Sequence, residues 1–134
     1  MNLDNLIASL RDIFLNADNT ESIALIGEMG AGKTHFVRCF MKSLDISAGD
    51  QVTSPTFTYR NQYIVCGKEI HHYDLYRIDD FAMLESIGFW ESFMFSNIFV
   101  MIEWANKFPE LSEHMSHTIQ IEVAPDKSRN YYLQ

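Results

Sequence analysis

The residues Gly27-Glu28-Met29-Gly30-Ala31-Gly32-Lys33-Thr34 match the pattern G-x-x-x-x-G-K-[ST] in full. Glycines at these spacings let the backbone curl until successive N–H groups face inward as an anion nest. A helix starting at the end of the loop points its positive end at the same place. Lys33 puts a cation on the β- and γ-phosphates of a nucleotide, and Thr34 offers a hydroxyl to Mg²⁺. The bland alternative is a glycine-rich turn with a surface lysine. A strand-like run before the loop and a helical pattern after it favour the phosphate cradle.

A phosphate loop needs an acidic partner at the end of a neighbouring strand. Phe99-Val100-Met101-Ile102-Glu103 has that form, with four apolar residues and then a carboxylate. Glu103 either holds Mg²⁺ or caps a strand on the surface. Trp104, next in line, is a site residue or a packing aromatic. The densest polar cluster is His71-His72-Tyr73-Asp74-Leu75-Tyr76-Arg77. On a strand, His72, Asp74 and Tyr76 share one face and His71, Tyr73, Leu75 and Arg77 the other, so the two histidines do not chelate one metal as neighbours. Asp74 near a γ-phosphate suits orienting or deprotonating a water. Arg77 suits either an ion pair or a cis arginine acting on transition-state charge. Val52-Thr53-Ser54-Pro55-Thr56-Phe57 reads equally as a phosphate-sensing switch or as a turn set by Pro55. Asn106-Lys107-Phe108-Pro109 begins like the guanine-reading N-K-x-D but lacks the Asp, and no glycine completes a D-x-x-G after Asp74. The expected nucleotide is therefore ATP rather than GTP.

The elements that must position these residues follow from periodicity. Leu3, Leu6, Ile7, Leu10 and Ile13/Phe14 predict an amphipathic helix over 2–16. Ser22–Ile26 predicts a buried strand, 27–32 a loop, and Lys33–Leu44 a helix whose apolar side is Phe36, Val37, Phe40, Met41 and Leu44. A loop bracketed by Gly49-Asp50 and Ser54-Pro55 follows. Thr56–Val65 and Glu69–Tyr76 read as a hairpin turning at 66–68. A short helix over 80–86 ends at Gly88. Asn97–Ile102 reads as a second buried strand, 106–114 as a short helix, Thr118–Val123 as a last strand, and Ala124-Pro125-Asp126 as the start of a polar tail. The alternation predicts an α/β fold with a mixed sheet.

Length and composition narrow the possibilities. A chain of 134 residues fits a single domain over 1–134 that holds its own core. Ten Lys plus Arg against eighteen Asp plus Glu leave a net charge of −8, which repels phosphate backbones. Any nucleic acid would thus be met only indirectly, through basic partners. Two cysteines without metal-ligand spacing disfavour a disulfide scaffold or zinc finger. The first residues lack a basic, apolar leader and no apolar run approaches a bilayer span, so a cytoplasmic protein with no membrane association is expected.

Taken together, Gly27 to Thr34, Ser54-Pro55-Thr56-Phe57, His72-Tyr73-Asp74-Leu75-Tyr76-Arg77 and Glu103-Trp104 resemble, in order, the G-[DE]-x-G-A-G-K-T, S-P-T-F, H-x-D-x-Y-R and E-W motifs of the TsaE family. The resemblance implies a compact P-loop NTPase fold, with a mixed, mainly parallel sheet flanked by helices and a hairpin. It also implies a slow ATPase that uses ATP and Mg²⁺. Family members support the TsaD and TsaB subunits, which transfer a threonylcarbamoyl group to adenosine 37 of tRNAs reading ANN codons; the ATPase itself does not perform that transfer. By motif, 27–35 bind nucleotide, Thr34 and Glu103 hold Mg²⁺, Lys33 and Asp74 act in catalysis, Thr53 to Thr56 sense the γ-phosphate, and Trp104 falls in a second switch. The chain departs from the pattern at His35, where a second Thr is common, and at Ala105, where a proline is common. Ser128-Arg129 keeps only the Arg of a C-terminal G-R pair. Two other readings use the same loop. A small-molecule kinase normally carries an Arg-rich lid, and no Arg-rich segment follows the core. A nucleotide-gated binding module would use ordering of 53–57 as its output.

Overall fold

Six strands form one sheet in the computed structural model. They are Glu21–Ile26 (β1), Arg60–Val65 (β2), Lys68–Asp74 (β3), Ile98–Glu103 (β4), His117–Val123 (β5) and Arg129–Leu133 (β6). The order is β2-β3-β4-β1-β5-β6. β1 runs parallel to β4 and β5 on its two sides, and β3 runs parallel to β4. β2 and β6 close the edges antiparallel to β3 and β5. The helices are Leu3–Asn16 (α1), Lys33–Leu44 (α2), Ile46–Gly49 (α3) and Phe81–Ser86 (α4). The structure describes residues 1–55, 58–95 and 97–134.

Local chemistry accounts for these elements. The Asn2 side chain accepts from Asn5 N at 2.8 Å and opens α1. Leu6, Leu10 and Phe14 then fall four apart on its buried stripe. Lys68 Nζ donates to the carbonyls of Phe14 and Ala17 and so ties the far end of α1 to the start of β3. All six residues of β4 are buried, as for a strand covered on both faces. The β2–β3 turn is Cys66-Gly67, both at positive φ, which suits the twist of a two-residue hairpin.

Alternation along the strands divides the interior in two. Phe99 and Met101 of β4 and Ile70 of β3 join Ile23, Leu25, Ile119 and Ile121 beneath α1 and α2. Ile98, Val100, Ile102, Tyr73 and Leu75 face the other way, toward Leu84, Phe89, Phe108 and Leu111. By the same parity His72, Asp74 and Glu103 belong to the α2 face of the sheet.

Several expectations need correction. The segment from Ala124 is not a polar tail: a turn over 124–128 leads into β6, with Ala124 N donating to Ser128 O and Lys127 at positive φ. β2 begins at Arg60 rather than Thr56, and Thr56 and Phe57 lie outside the described residues. β3 ends at Asp74, because its Oδ1 accepts from Tyr76 N and turns the chain. Tyr76 therefore does not continue the strand face of His72 and Asp74. Gly49 lies in α3, where an added Cβ would meet the Lys42 side chain at 2.7 Å. The 106–114 segment is two 3₁₀ stretches, Ala105–Lys107 and Pro109–His114, broken at Phe108 before the proline. Another 3₁₀ stretch, Phe89–Phe93, was not foreseen.

Candidate nucleotide site

The loop after β1 crosses the carboxyl end of the sheet and feeds α2, whose N-cap is Gly32 at φ 101°. That left-handed backbone suits glycine alone among the common residues. Gly27 answers a different demand: a Cβ there would lie 2.9 Å from Ile121 O and 3.0 Å from Ala31 Cβ. The loop is pressed against β5 and has no room for a side chain at its start.

Lys33, 5% exposed, folds back into the loop. Its Nζ donates to Gly27 O at 2.6 Å and Glu28 O at 3.0 Å, and it lies 4.2 Å from the centre of the Trp104 ring. Burial lowers the pKa of this ammonium, against the opposing pull of Glu103 and then Asp74. A buried cation held by carbonyls at a positive helix end is a ready counter-charge for phosphate.

Thr34, in the first turn of α2, meets the end of β4. Its Oγ1 donates to Glu103 Oε2 at 2.8 Å. The same oxygen lies 2.6 Å from His72 Nε2. Asp74 pairs with Glu103 in the β3–β4 register and is 5% exposed. Lys33, Thr34, Asp74 and Glu103 line one cavity of about 550 Å³, together with His35, Ser54, Tyr76, Arg77 and Trp104. That volume lies within the range of small-molecule sites, roughly 300–1,000 Å³. The donor set fits a hard divalent cation and a polyphosphate: a carboxylate, a hydroxyl whose hydrogen is already turned to that carboxylate, and one buried ammonium.

Other sequence-predicted residues sit around this centre. Glu28, Met29 and Ala31 border a second cavity of about 670 Å³ with Trp104, Asn106 and the outer half of β5; Met29 and Trp104 line both. Trp104 is held at φ 62°, uncommon for a bulky residue, and its ring packs against Tyr76. Thr53 is bound by the Asn61 side chain through its carbonyl and hydroxyl; it is Ser54 that reaches the cavity wall. Lys107 is engaged within the chain. Its Nζ donates to Tyr76 O and Ile78 O, both at 2.7 Å, tying the segment after β4 to the segment after β3.

Two contacts of the site are not legible in the sequence, although Arg129 itself stands out there as the Arg of a G-R pair. Arg129, assigned to a tail, donates from Nε to Ala31 O at 2.7 Å and lies over Gly32. The alternation that buries Tyr131 and half-buries Leu133, following a Pro-Asp turn, was the available signal. The link from His72 to Glu103 left no signal, because it spans two strands.

A phosphate-cradling strand–loop–helix at the carboxyl end of a parallel sheet, with a carboxylate on the adjacent strand, defines a P-loop nucleotide-binding fold. The crystal structure of Bacillus subtilis YdiB shares this fold: it superposes over 98% of this chain and 78% of that one, with a TM-score of 0.60 and 24% identity. The chain belongs to the TsaE family, whose profile, described as "Threonylcarbamoyl adenosine biosynthesis protein TsaE", matches residues 2–131. Among its relatives, the Haemophilus influenzae tRNA threonylcarbamoyladenosine biosynthesis protein TsaE is 37% identical over 89% of this chain and 73% of its own length. The Aquifex aeolicus protein of the same description is 45% identical over 52% of each. The chain thus spans about half the length of that relative. Among the described residues no helix is long and apolar enough to cross a membrane.

Proposed function

We propose that this chain is an ATPase subunit that supports threonylcarbamoylation of tRNA by TsaD and TsaB, binding ATP with Mg²⁺ and hydrolysing it slowly. The reading is carried by one observation: Lys33 and Thr34 of α2, Asp74 of β3 and Glu103 of β4, drawn from three separate elements, border a single cavity under the phosphate loop. Family membership supplies the pathway. The N–H groups of 27–35 and Lys33 bind the phosphates, with His35 contributing through its place in the first turn of α2. Thr34 and Glu103 hold the cation. When bound, Mg²⁺ supplies charge neutralisation on the phosphate oxygens. Asp74, fixed at the end of β3 by its bond from Tyr76 N, orients a water and takes its proton. Thr53 to Thr56, of which Ser54 lines the cavity, sense the terminal phosphate. The acidic surface leaves tRNA to the partner subunits, and the protein works in the cytoplasm.

Single-turnover hydrolysis of ATP, with and without TsaD and TsaB, tests this. Asp74→Asn is expected to slow hydrolysis by at least ~100-fold, within the range of general-base effects, while nucleotide affinity changes little. An intact rate in the variant would remove Asp74 from the chemistry. Phosphate transfer to a metabolite faster than to water would replace the ATPase reading with that of a kinase.

A further inference from the structure

His72 is completely buried, and its Nε2 lies 2.6 Å from Glu103 Oε2. A carboxylate oxygen accepts, so the imidazole proton in this bond is on Nε2. The other ring nitrogen, Nδ1, is buried without a hydrogen-bond partner among the described residues. Leaving a polar atom in that state carries a desolvation cost. An apolar residue would fill the α2 face at this position without that cost, so the ring's presence must be explained by what Nε2 does. What it does is geometrical. In the parallel register Asp74, not His72, is opposite Glu103, and the imidazole reaches diagonally across to the next strand. It lands on the oxygen that also accepts the Thr34 hydroxyl. Two donors from β3 and α2 thereby fix one oxygen of Glu103 and the rotation of the whole carboxylate.

We propose that His72 is a positioning residue for the divalent-cation site, holding the Glu103 carboxylate in the orientation in which it and Thr34 receive the metal. The inference rests on the reading of Thr34 and Glu103 as the metal-holding pair. His72 does not touch the metal or the nucleotide; it acts through Glu103, as outer hydrogen bonds to ligating carboxylates do.

The test uses Mn²⁺ as the probe, titrated into the ADP-bound full chain and followed by the electron paramagnetic resonance of free Mn²⁺. Gln places its amide N–H at about the reach of imidazole Nε2, whereas Asn is too short. His72→Gln is expected to keep Mn²⁺ affinity within about threefold, and His72→Asn to weaken it by ~10–100-fold, the usual cost of losing such a partner. ADP affinity in the presence of a chelator should be the same in both. Equal weakening in the two variants, or none in His72→Asn, overturns the proposal. Glu103→Gln separates the two levels. If it weakens Mn²⁺ binding and His72→Asn does not, only the role of His72 falls; if it leaves Mn²⁺ binding intact, the cation site falls and the inference with it. The unmodified protein gives a reading that needs no variant to fold. Nitrogen-15 spectra of the imidazole should show the Nε2–H tautomer with and without Mg²⁺ and ADP; an Nδ1–H tautomer overturns the assignment.

Discussion

The two faces of the sheet each carry a buried apolar cluster but are built for different ends. On one face, α1 and α2 cover aliphatic and phenylalanine side chains, and β3 and β4 end in His72, Asp74 and Glu103. On the other, short helical turns bring Phe81, Phe89, Trp90, Phe93 and Phe108 into a chain of ring contacts. The neighbouring histidines of β3 show the division most directly. His72 reaches Glu103 and, through it, Thr34. His71, one residue away, points to the aromatic face, where Ser92 Oγ lies 2.6 Å from both His71 Nδ1 and the Tyr73 hydroxyl. Both faces bury polar groups. On the aromatic face they are matched to one another, whereas on the α2 face they converge on a cavity. Burial of a titratable residue therefore does not by itself mark function; the direction in which its partners open does.

This contrast predicts that variants on the aromatic face change stability and leave nucleotide affinity alone, and that variants in the cavity do the reverse. The largest effect on folding is expected for Phe89→Ala. Its fully buried ring contacts those of Tyr73, Trp90 and Phe93, so urea denaturation should show a loss of about 3–5 kcal/mol. ATP affinity of the folded protein should not change.

Lys33→Ala should lower ATP affinity by at least ~100-fold, or about 2.7 kcal/mol, in a calorimetric titration. Its melting temperature should hold or rise, because a desolvated ammonium is removed. Unchanged affinity would remove the phosphate-loop assignment.

Ser92→Ala strips His71 and Tyr73 of a shared partner and should cost about 1–3 kcal/mol with no change in nucleotide binding. A drop in ATP affinity would show that the two faces are coupled.

The smallest effect is a pH dependence. Burial lowers the pKa of His71 below its ordinary 6.5, against a weaker opposing pull from Glu69. The unfolded chain thus binds the proton more readily than the folded one, so stability is full above pH 6.5 and declines as pH falls through the lowered value. Urea midpoints measured between about pH 5 and 8 should show this slope, and His71→Asn should flatten it.

Legibility in the sequence also differed between the faces. The α2 face rests on long periodic elements, and its helix over 33–44 and buried strand over 22–26 were readable from spacing. The aromatic face rests on 3₁₀ turns too short to show a period, so nothing in the spacing marks Phe89–Phe93, and 106–114 reads as one helix. The final hairpin was missed because a polar turn with Pro125 and Asp126 looks the same whether the chain continues as a tail or returns as a strand.

By itself the sequence determined the phosphate loop, the strand that enters it, the helix that leaves it and the face on which each residue of β3 lies. These are short-range properties: the conformations glycine permits and the periods of two and 3.6 residues. Tertiary structure alone decided which strands are neighbours, and with that, which groups meet. Only the parallel β3–β4 register sets Asp74 opposite Glu103 and brings His72 within reach of it. Only the return of β6 beside β5 lays Arg129 on the loop at Ala31. Pairing register is set by the burial of whole faces across the sheet, a sum over distant residues that no local spacing records.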